Sequence, residues 1–295
     1  MIENDTAILQ HKVEIWKREI PDYLNNMLDD LYGRKIMPIR KVGADVMVDN
    51  IEHYDRAGKG AQIMAKGAVP KGSNVTVTPE TFYMYQLLDG FLIHEKDIKA
   101  DPKLKSREVE IILKNIHRLE NDMIVNGDTK HGIKGIVGAA TANSSYSPTG
   151  YISPTATWVV PASAKYYDDV LKCLDYMDTR YKPRWLLGCQ TDINKLLTLS
   201  DDTKQPVYQQ IANLFGKNPT DPLNSWAISL DATVMAAGYV YVIPQNPDAA
   251  ELVISENPTL RAIGQQRGGN YPIEMYAWEN IEIHNDDAFV RLKTT

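Results

Sequence analysis

A single long amphipathic helix is the sequence feature that most constrains the fold of this chain. Asp101 and Pro102 mark its start, because aspartate caps free amides and proline suits the first helical position. Gly127 supplies a left-handed stop, so the sequence predicts a helix over residues 101–126. At 1.5 Å per residue it is roughly 37 Å long, which is long for a globular domain. Its apolar residues recur at spacings of three and four and predict one buried stripe, made of Val109, Ile112, Ile116, Leu119 and Met123.

The chain ahead of this helix starts with a polar, partly helical arm over residues 1–20. Pro21 suits the first turn of a second helix, which we expect to run to about Leu31. One apolar stripe at helical spacing comprises Trp16, Ile20, Tyr23, Leu24, Met27 and Leu31. Gly33 ends the helix and is followed by the basic cluster Arg34, Lys35, Arg40 and Lys41. Such a helix either closes its own core or docks against a neighbouring subunit or an enclosed partner.

Between residues 44 and 88 the pattern changes to short strands around a glycine-rich loop. The run from Phe82 to Leu88 is apolar on both sides, which predicts a strand buried from both faces. The segment from Ile51 to Pro79 has few residues that could form a core of its own. A hairpin of this kind needs another surface to lie on, and a second copy of the chain is the economical candidate.

Helix and strand signals alternate after the long helix, which indicates an α+β fold with mixed sheets. The predicted helices lie near residues 164–180 and 191–199. The predicted strands cover residues 185–187, 240–243, 251–255, 273–278, 281–283 and 288–292. A stretch rich in serine, threonine and proline over residues 141–157 is expected to be an exposed loop.

Composition argues against several classes of protein. Lys plus Arg number 32 and Asp plus Glu number 38, and the net charge of −6 argues against a surface that coats nucleic acid throughout. Cys173 and Cys189 are too few and too badly spaced for a zinc site or a disulfide framework. The longest nearly unbroken apolar run, Val234 to Ile243, is about half of what a bilayer span needs. The first residues lack a signal-peptide core, so we expect a soluble cytoplasmic product.

The sequence contains no recognisable motif for catalysis or cofactor binding. No two of the six histidines share metal-ligand spacing on one predicted element. There is no nucleophile elbow and no phosphate-binding loop. We therefore predict a protein that is not an enzyme and that has no catalytic residue, cofactor or metal. An α+β enzyme or binding module whose site leaves no motif stays open as an alternative.

The order of these elements resembles the major capsid proteins of tailed phages and related archaeal viruses, which share the Hong Kong 97 phage fold. The resemblance is carried by the arm, the hairpin, the long helix and the Gly-Ile-Lys-Gly-Ile segment over residues 132–136. It implies that Ile51 to Pro79 is the extended E-loop and that residues 101–126 are the spine helix. It also implies a peripheral (P) domain, an axial (A) domain entered at Pro183 to Leu199, and a return to the P domain over Tyr271 to Lys293.

The same resemblance implies how the chain divides. The expected units are an N-terminal arm and helix over 1–45, the E-loop hairpin over 46–88, the P domain over 89–181 and 263–295, and the A domain over 182–262.

Encapsulins, the shells of bacterial and archaeal protein compartments, use this fold too and are the alternative. Leu31 to Lys35 after a helix containing Trp16 looks like an encapsulin N-terminus, and Leu119 to Ile124 is similar to an encapsulin spine. The long loop over residues 141–157 and the glycine-rich hairpin are more typical of viral capsids. We therefore favour the viral capsid.

The resemblance implies a structural protein that assembles with itself, as pentamers and hexamers, into an icosahedral head around double-stranded DNA. The expected location is the virion, assembled in the host cytoplasm, with no membrane partner. Scaffold, portal or decoration proteins are further expected partners. The encapsulin alternative implies a shell around a cargo enzyme instead.

Site residues follow from the same resemblance. Intersubunit E-loop contacts are expected from Tyr54, Arg56, Lys59, Lys66 and Lys71. Interface anchors are expected at Tyr83, Tyr85, Trp158, Tyr166 and Tyr167, because aromatic side chains contribute most per residue to such contacts. Contacts with DNA at the inner face are expected from Arg34, Lys35, Arg40 and Lys41. The asparagine and glutamate needed for the cross-link of the type phage are not matched, so we predict no cross-linking.

Overall fold

The computed structural model describes residues 9–20, 32–44, 48–55, 76–94, 96, 104–146, 149–159, 165–197, 206–264 and 270–295. Its helices are α1 (residues 9–20), α2 (Tyr32–Ile36), α3 (Leu104–Asn126), α4 (Ile136–Ala142), α5 (Tyr166–Tyr176), α6 (Gln190–Ile193) and α7 (Val207–Ile211). Short 3-10 turns follow at Ser144–Tyr146, Asn194–Leu197, Ala212–Phe215, Leu223–Ser225 and Asp286–Ala288. The second predicted helix, from Pro21 to Leu31, lies outside the described residues.

Two four-stranded sheets organise the described chain. The first sheet has the order β1 (Ile39–Lys41), β10 (Ala250–Ala262), β11 (Asn270–Ile283), β4 (Tyr85–His94). The second has the order β12 (Val290–Lys293), β9 (Tyr239–Ile243), β7 (Trp185–Cys189), β8 (Ala227–Leu230). Two hairpins pair β2 (Val48–Asp55) with β3 (Thr76–Tyr83) and β5 (Gly127–Asp128) with β6 (Ile133–Lys134). The β1–β10 and β7–β8 pairs are parallel, so the predicted α+β fold with mixed sheets is confirmed.

Helix α3 is the long helix that the sequence predicts. It has 23 described residues and ends at Asn126, and the predicted start at 101–103 lies outside the described residues. Gly127 follows with a φ of +73°, as its predicted role as a left-handed stop requires. A Cβ at this position would lie 2.4 Å from the Ile133 carbonyl oxygen, so both conformation and space demand glycine.

The buried face of α3 differs from the predicted stripe at one position. Val109, Ile112, Ile116 and Met123 are buried, whereas Leu119 is 47% exposed. The prediction for Leu119 is therefore wrong. The neighbouring Glu120 takes the buried position, because Arg34 reaches it from α2 and neutralises its charge.

Two hydrophobic cores hold the structure. The arm-side core lies between α1, α3 and the first sheet, and its members are Leu9, Val13, Trp16, Ile20, Leu87, Ile93, Val109, Ile112, Leu113, Ile116, Leu260, Tyr271, Ile273, Met275 and Ala277. The large core surrounds the second sheet and includes Trp158, Phe215, Trp226, Val242 and Phe289. Strands β10 and β11 and helix α3 contribute to both cores. The described part of α1 thus closes a core of its own chain.

Two strands pair across the division into P and A domains that the resemblance implies, and that division stays a prediction. Strand β10 lies within the expected A domain over 182–262 and pairs with β1 and β11 in the first sheet beside α3. Strand β12 lies within the expected P domain over 263–295 and pairs with β9 in the second sheet. The physical reason is long-range pairing: Val290 lies opposite Val242, and the Thr294 amide donates to the Gly238 carbonyl.

The predicted strand over Phe82 to Leu88 is interrupted, and only one of its faces packs against a core. It breaks at Met84 between β3 and β4, and Tyr83 and Leu88 are 55% and 47% exposed. One face of β4 packs on the arm-side core through Leu87 and Ile93, while the other face is open in the described chain. The prediction of burial on both faces is therefore wrong for the isolated subunit.

Candidate assembly surfaces

The β2–β3 hairpin is separate from the two four-stranded sheets in its backbone pairing. Its register runs from Val48 opposite Tyr83 to Asp55 opposite Thr76, and among the described strands it pairs with neither four-stranded sheet. A two-stranded hairpin is marginally stable in water when it stands alone. Tyr54 lies in β2 opposite Val77. The hairpin therefore has the form expected of an element that needs a second surface.

The segment that joins these strands has a distinctive charge. Residues 56–75 contain one arginine and three lysines and no aspartate or glutamate, in a chain of net charge −6. The four cations are Arg56, Lys59, Lys66 and Lys71, and all of them lie outside the described residues. A basic segment in an acidic chain favours contact with a negatively charged surface.

The first sheet exposes three apolar side chains. Leu88 and Leu92 on β4 are 47% and 57% exposed, and they lie opposite Tyr276 and Pro272 of β11. Ile263, whose amide donates to the Pro272 carbonyl, is 37% exposed at the same end. The Gly90–Glu274 pair separates Leu88 from Leu92, so these side chains are single exposed residues rather than one continuous patch.

The expected aromatic anchors divide into surface and core residues. Tyr83 and Tyr167 are exposed and Tyr85 is half-buried, with its hydroxyl donating to the His131 carbonyl at 2.5 Å. Trp158 and Tyr166 are buried against each other with ring centroids 5.0 Å apart. The expectation that these two anchor an interface is wrong.

The reason is a buried carboxylate next to Trp158. Asp169 on α5 accepts hydrogen bonds from the Trp158 indole at 2.9 Å and from the Thr155 amide at 2.6 Å. These bonds fix the chain before α5 against the helix, so the indole serves the subunit's own core.

Both arginines of the basic cluster after α1 form ion pairs with carboxylates of the same chain. The Arg34 guanidinium donates to both carboxylate oxygens of Glu120, at 2.8 to 3.0 Å, and its NH2 lies 3.5 Å from Glu279. Glu279 sits on β11, and both carboxylates are fully buried. His117 Nδ1 lies 3.4 Å from Glu120. We call Arg34, His117, Glu120 and Glu279 the Glu279 cluster.

Arg40 forms a second cluster at the other end of the same segment. Its Nε lies 2.9 Å from Glu251 and its NH2 lies 2.8 Å from Glu282. His284 Nδ1 is 3.0 Å from Glu282, and its Nε2 is 3.9 Å from Glu251. We call Arg40, Glu251, Glu282 and His284 the His284 cluster. Because Arg40 bonds both carboxylates, the cluster is an ion-pair network and we assign no metal to it.

These contacts bear on the expected DNA-binding residues. Arg34 and Arg40 are paired with carboxylates of their own subunit, which argues against phosphate contacts from these two residues. Lys35 stacks 5.2 Å from the Trp185 ring centroid, and both Lys35 and Lys41 are exposed. Only these two lysines of the predicted four are available to a phosphate.

Burial and charge shift the pKa values within both clusters. Complete burial and the nearby charge of Glu120 hold the pKa of Glu279 well above its usual value. Burial opposes ionisation of Glu120 as well, but contacts with His117 and Arg34 outweigh it and lower the Glu120 pKa. Burial lowers the pKa of His284, but the carboxylates of Glu282 and Glu251 outweigh that effect and raise it. Both clusters therefore favour binding a proton in the folded chain.

A cleft of 430 Å³ lies where α3 ends. It is lined by Leu119 and Asp122 of α3, by the first residues of β4 and by the turn from Gly127 to Ile133. Leu119, which the sequence predicts to be buried, is exposed to this cleft. The lining of the cleft includes Asp128 and His131, whose side chains lie 2.7 Å apart, and that hydrogen bond lowers the Asp128 pKa. The cleft thus combines apolar residues such as Leu119 with polar residues such as Asp122 and Asp128.

Neither cluster is among the features predicted from the sequence, although the sequence carries one signal of the Glu279 cluster. Inward positions of β11 alternate as Ile273, Met275, Ala277, Glu279 and Ile281, so the carboxylate of Glu279 falls among apolar neighbours. Glu120 likewise falls four residues after the buried Ile116. Charged residues at two inward positions indicate a buried cation between them, and Arg34 is that cation.

Comparison with solved structures identifies the fold. The virus-like particle from Pyrococcus furiosus matches 92% of this chain and 98% of its own, with a TM-score of 0.57 and 15% identity. The capsid of a native gene transfer agent (GTA) particle matches 89% of each chain, with a TM-score of 0.65 and 12% identity. An encapsulin complex from Synechococcus elongatus matches 87% of this chain and 85% of its own, with a TM-score of 0.56 and 11% identity. No family model and no curated protein sequence matches the chain significantly.

The chain therefore has the capsid-type shell fold, and the predicted resemblance to the Hong Kong 97 phage fold is confirmed. Within the described residues, no helix is both long enough and apolar enough to cross a bilayer.

Proposed function

We propose that this chain is a viral major capsid protein that assembles with copies of itself into a closed icosahedral shell around double-stranded DNA. The proposal rests on the capsid-type fold together with one observation. The β2–β3 hairpin pairs with neither sheet among the described strands, and it bears a segment with four cations and no acidic residue. Such a hairpin gains stability by lying across a neighbour. The role is structural rather than catalytic, with virus-encoded scaffold, portal or decoration proteins as further partners.

Replacing the segment that joins the hairpin strands with a short turn tests the contribution of the hairpin to assembly. Asp55 and Thr76 are directly paired, so an Asn-Gly turn in place of residues 56–75 closes the strands with a two-residue type I′ loop. We expect folded subunits that form no shells, because strands β2 and β3 are retained while the cationic segment that joins them is removed. Electron microscopy and circular dichroism of the same purified fractions measure assembly and folding separately. Shells from this variant would show that the tip is not an intersubunit clamp.

An encapsulin shell is the second candidate, favoured by α1. Leu9, Val13, Trp16 and Ile20 of this helix are buried in the arm-side core beside α3, and an amphipathic helix at this place is the feature that resembles encapsulins. The two candidates differ in what the shell encloses. Absorbance at 260 and 280 nm after nuclease treatment of purified shells distinguishes them. Protected DNA supports the viral capsid, whereas shells that form unaided without nucleic acid support the encapsulin.

A further inference from the structure

Two cations from separate parts of the chain meet at Trp185. Lys35 Nζ, on α2, lies 5.2 Å from the centroid of the indole ring, and Arg184 Cζ lies 5.5 Å from it. Trp185 is 4% exposed, whereas Lys35 is exposed and Arg184 is half-buried. We call Lys35, Arg184 and Trp185 the Trp185 site. The site therefore places two positive charges at the surface beside one buried aromatic ring.

Contacts with the backbone fix where the two cations lie. The Arg184 amide donates to the Ile243 carbonyl at 3.0 Å, where the start of β7 lies beside the end of β9. The Gln245 side chain, two residues further along, donates to the Lys35 carbonyl at 2.9 Å. Each cation is also attracted to the electron-rich face of the indole. The fold therefore brings Lys35 and Arg184 together, although they are distant in sequence.

The positive charge of this site is not balanced within the described part of the chain. Neither the Lys35 nor the Arg184 side chain forms an ion pair or a hydrogen bond there. The Trp185 Nε1 is buried and also lacks a hydrogen-bond partner among the described residues. By contrast, Arg180 lies nearby in sequence and pairs with Asp178 at 2.5 Å. The Trp185 site thus offers donors without acceptors.

Electrostatics indicates what kind of partner this arrangement fits. Two like charges beside one ring repel each other, and an anion placed against both relieves that repulsion. The chain carries 38 acidic residues, more than its 32 basic ones, yet none of the described carboxylates pairs with Lys35 or Arg184. A phosphodiester backbone presents only acceptors, whereas a peptide also presents N–H donors that this site would leave unsatisfied. The site therefore matches phosphate groups.

We propose that the Trp185 site binds phosphate groups of the double-stranded DNA inside the shell, through Lys35 and Arg184 and irrespective of base sequence. The proposal rests on the viral function proposed above and adds Arg184 to the contacts expected from the sequence. Duplex DNA carries about one negative charge per 1.7 Å of helix axis, so it neutralises both cations at once. The guanidinium is further suited to hold two phosphate oxygens with a pair of parallel hydrogen bonds.

Salt-dependent binding of the full-length, unassembled subunit to a labelled duplex of about 20 base pairs tests this contact. The magnitude of the slope of log K against log salt concentration falls by about one for each phosphate contact that is lost. We expect Lys35→Gln and Arg184→Gln each to lower this slope by about one, and the double variant to lower it by about two. The loss should be the same for two duplexes of different sequence. An unchanged slope in the double variant would overturn the proposal.

Arg180→Gln is the matched control, because it removes the same charge from an arginine that Asp178 already neutralises. This variant should bind the duplex with the wild-type slope. If it lowers the slope as much as Arg184→Gln does, binding follows net charge and the Trp185 site is refuted. Arg184→Lys retains the charge and should retain the slope. Circular dichroism of each variant establishes that the subunit is folded before its binding is compared.

A chemical footprint of the wild-type protein does not depend on any variant. Acetylation of lysines, followed by mass spectrometry, should show Lys35 protected by the duplex at about 50 mM salt and reactive again at about 0.5 M. Lys114, which pairs with Glu110 on α3, is the reference. Equal labelling of Lys35 with and without the duplex would overturn the proposal. Tighter binding of poly-glutamate than of the duplex would overturn it too, because the ligand would then be an acidic protein segment.

The DNA content of purified shells tests the proposed function separately. Shells that protect DNA, formed by a subunit whose Lys35 and Arg184 variants bind the duplex like the wild type, would refute the Trp185 site and leave the capsid proposal standing. Shells without DNA would instead refute the proposed function and, with it, the enclosed duplex as the ligand of this site, even where the salt slopes agree.

Discussion

At the scale of single residues, the α2–α3 contact shows how a buried charge can specify geometry. Arg34 holds both carboxylate oxygens of Glu120, and the Gly33 amide donates to the Asn121 side chain at 2.9 Å. A Cβ on Gly33 would lie 2.6 Å from Ile124 Cδ1, so the backbone of α2 approaches α3 very closely. A buried ion pair adds little net stability against an apolar substitute, but breaking one is costly. The pair therefore fixes where α2 sits on α3.

The buried stripe of α3 gives a prediction at the same scale. Ile116 is 1% exposed in the arm-side core, whereas Leu119 on the same helix is 47% exposed. We expect Ile116→Asp to destabilise the subunit by more than about 4 kcal/mol and to abolish soluble assembly, because it buries an unpaired charge. Leu119→Asp is the matched control and should cost less than about 1 kcal/mol. Urea denaturation and particle yield measure both effects, and wild-type yield from Ile116→Asp would refute the assigned core.

Single-residue predictions from the sequence succeed where one physical effect dominates. The apolar period places Val109, Ile112 and Ile116 correctly because nothing competes with their burial. The same period fails at Leu119, because the adjacent Glu120 takes the buried position. Glu120 can do so because it pairs with Arg34, which is 86 positions away in sequence. The same long-range contact makes Arg34 unavailable to DNA. A formal charge in the sequence does not reveal its partner.

At the scale of elements, the turn after α3 gives a prediction based on backbone geometry. Gly127 and Gly132 have nearly equal φ values of +73° and +72°, but their surroundings differ. A Cβ at Gly127 would lie 2.4 Å from the Ile133 carbonyl oxygen, whereas a Cβ at Gly132 would meet nothing within 4 Å. We expect Gly132→Ala to cost about 1 to 2 kcal/mol through backbone strain alone, and Gly127→Ala to cost clearly more. Thermal unfolding of the two variants measures the difference, and equal losses would contradict the close approach.

Elements themselves are predictable to different degrees. The end of α3 is local information, because Gly127 stops the helix wherever the rest of the chain lies. Sheet membership is not local. Strand β1 pairs with β10 through Ile39 opposite Leu252, and β12 pairs with β9, so both partners depend on the whole fold. The sequence therefore predicts a strand over residues 288–292, but neither β1 nor the sheet to which each strand belongs.

At the scale of the whole molecule, helix α3 and strands β10 and β11 each contribute buried residues to both cores. Helix α3 contributes Ile112 and Leu113 to the arm-side core and Ile124 and Val125 to the large core. Strands β10 and β11 also cross between the cores, through Leu252 and Leu260 and through Ile281 and Met275. A rigid helix shared by two cores transmits the loss of one to the other. The subunit should therefore unfold as one cooperative unit although its sheets are separate.

This cooperativity is measurable by native-state hydrogen exchange. Leu113→Ala removes a fully buried side chain from the arm-side core and should cost about 2 to 5 kcal/mol. Because the cores unfold together, the amides of β7 in the large core should lose protection by roughly thirtyfold or more. Ile111→Ala, two residues away and 52% exposed, is the control and should leave β7 unchanged. If Leu113→Ala accelerates exchange in β4 and β11 but not in β7, the cores unfold independently and α3 does not couple them.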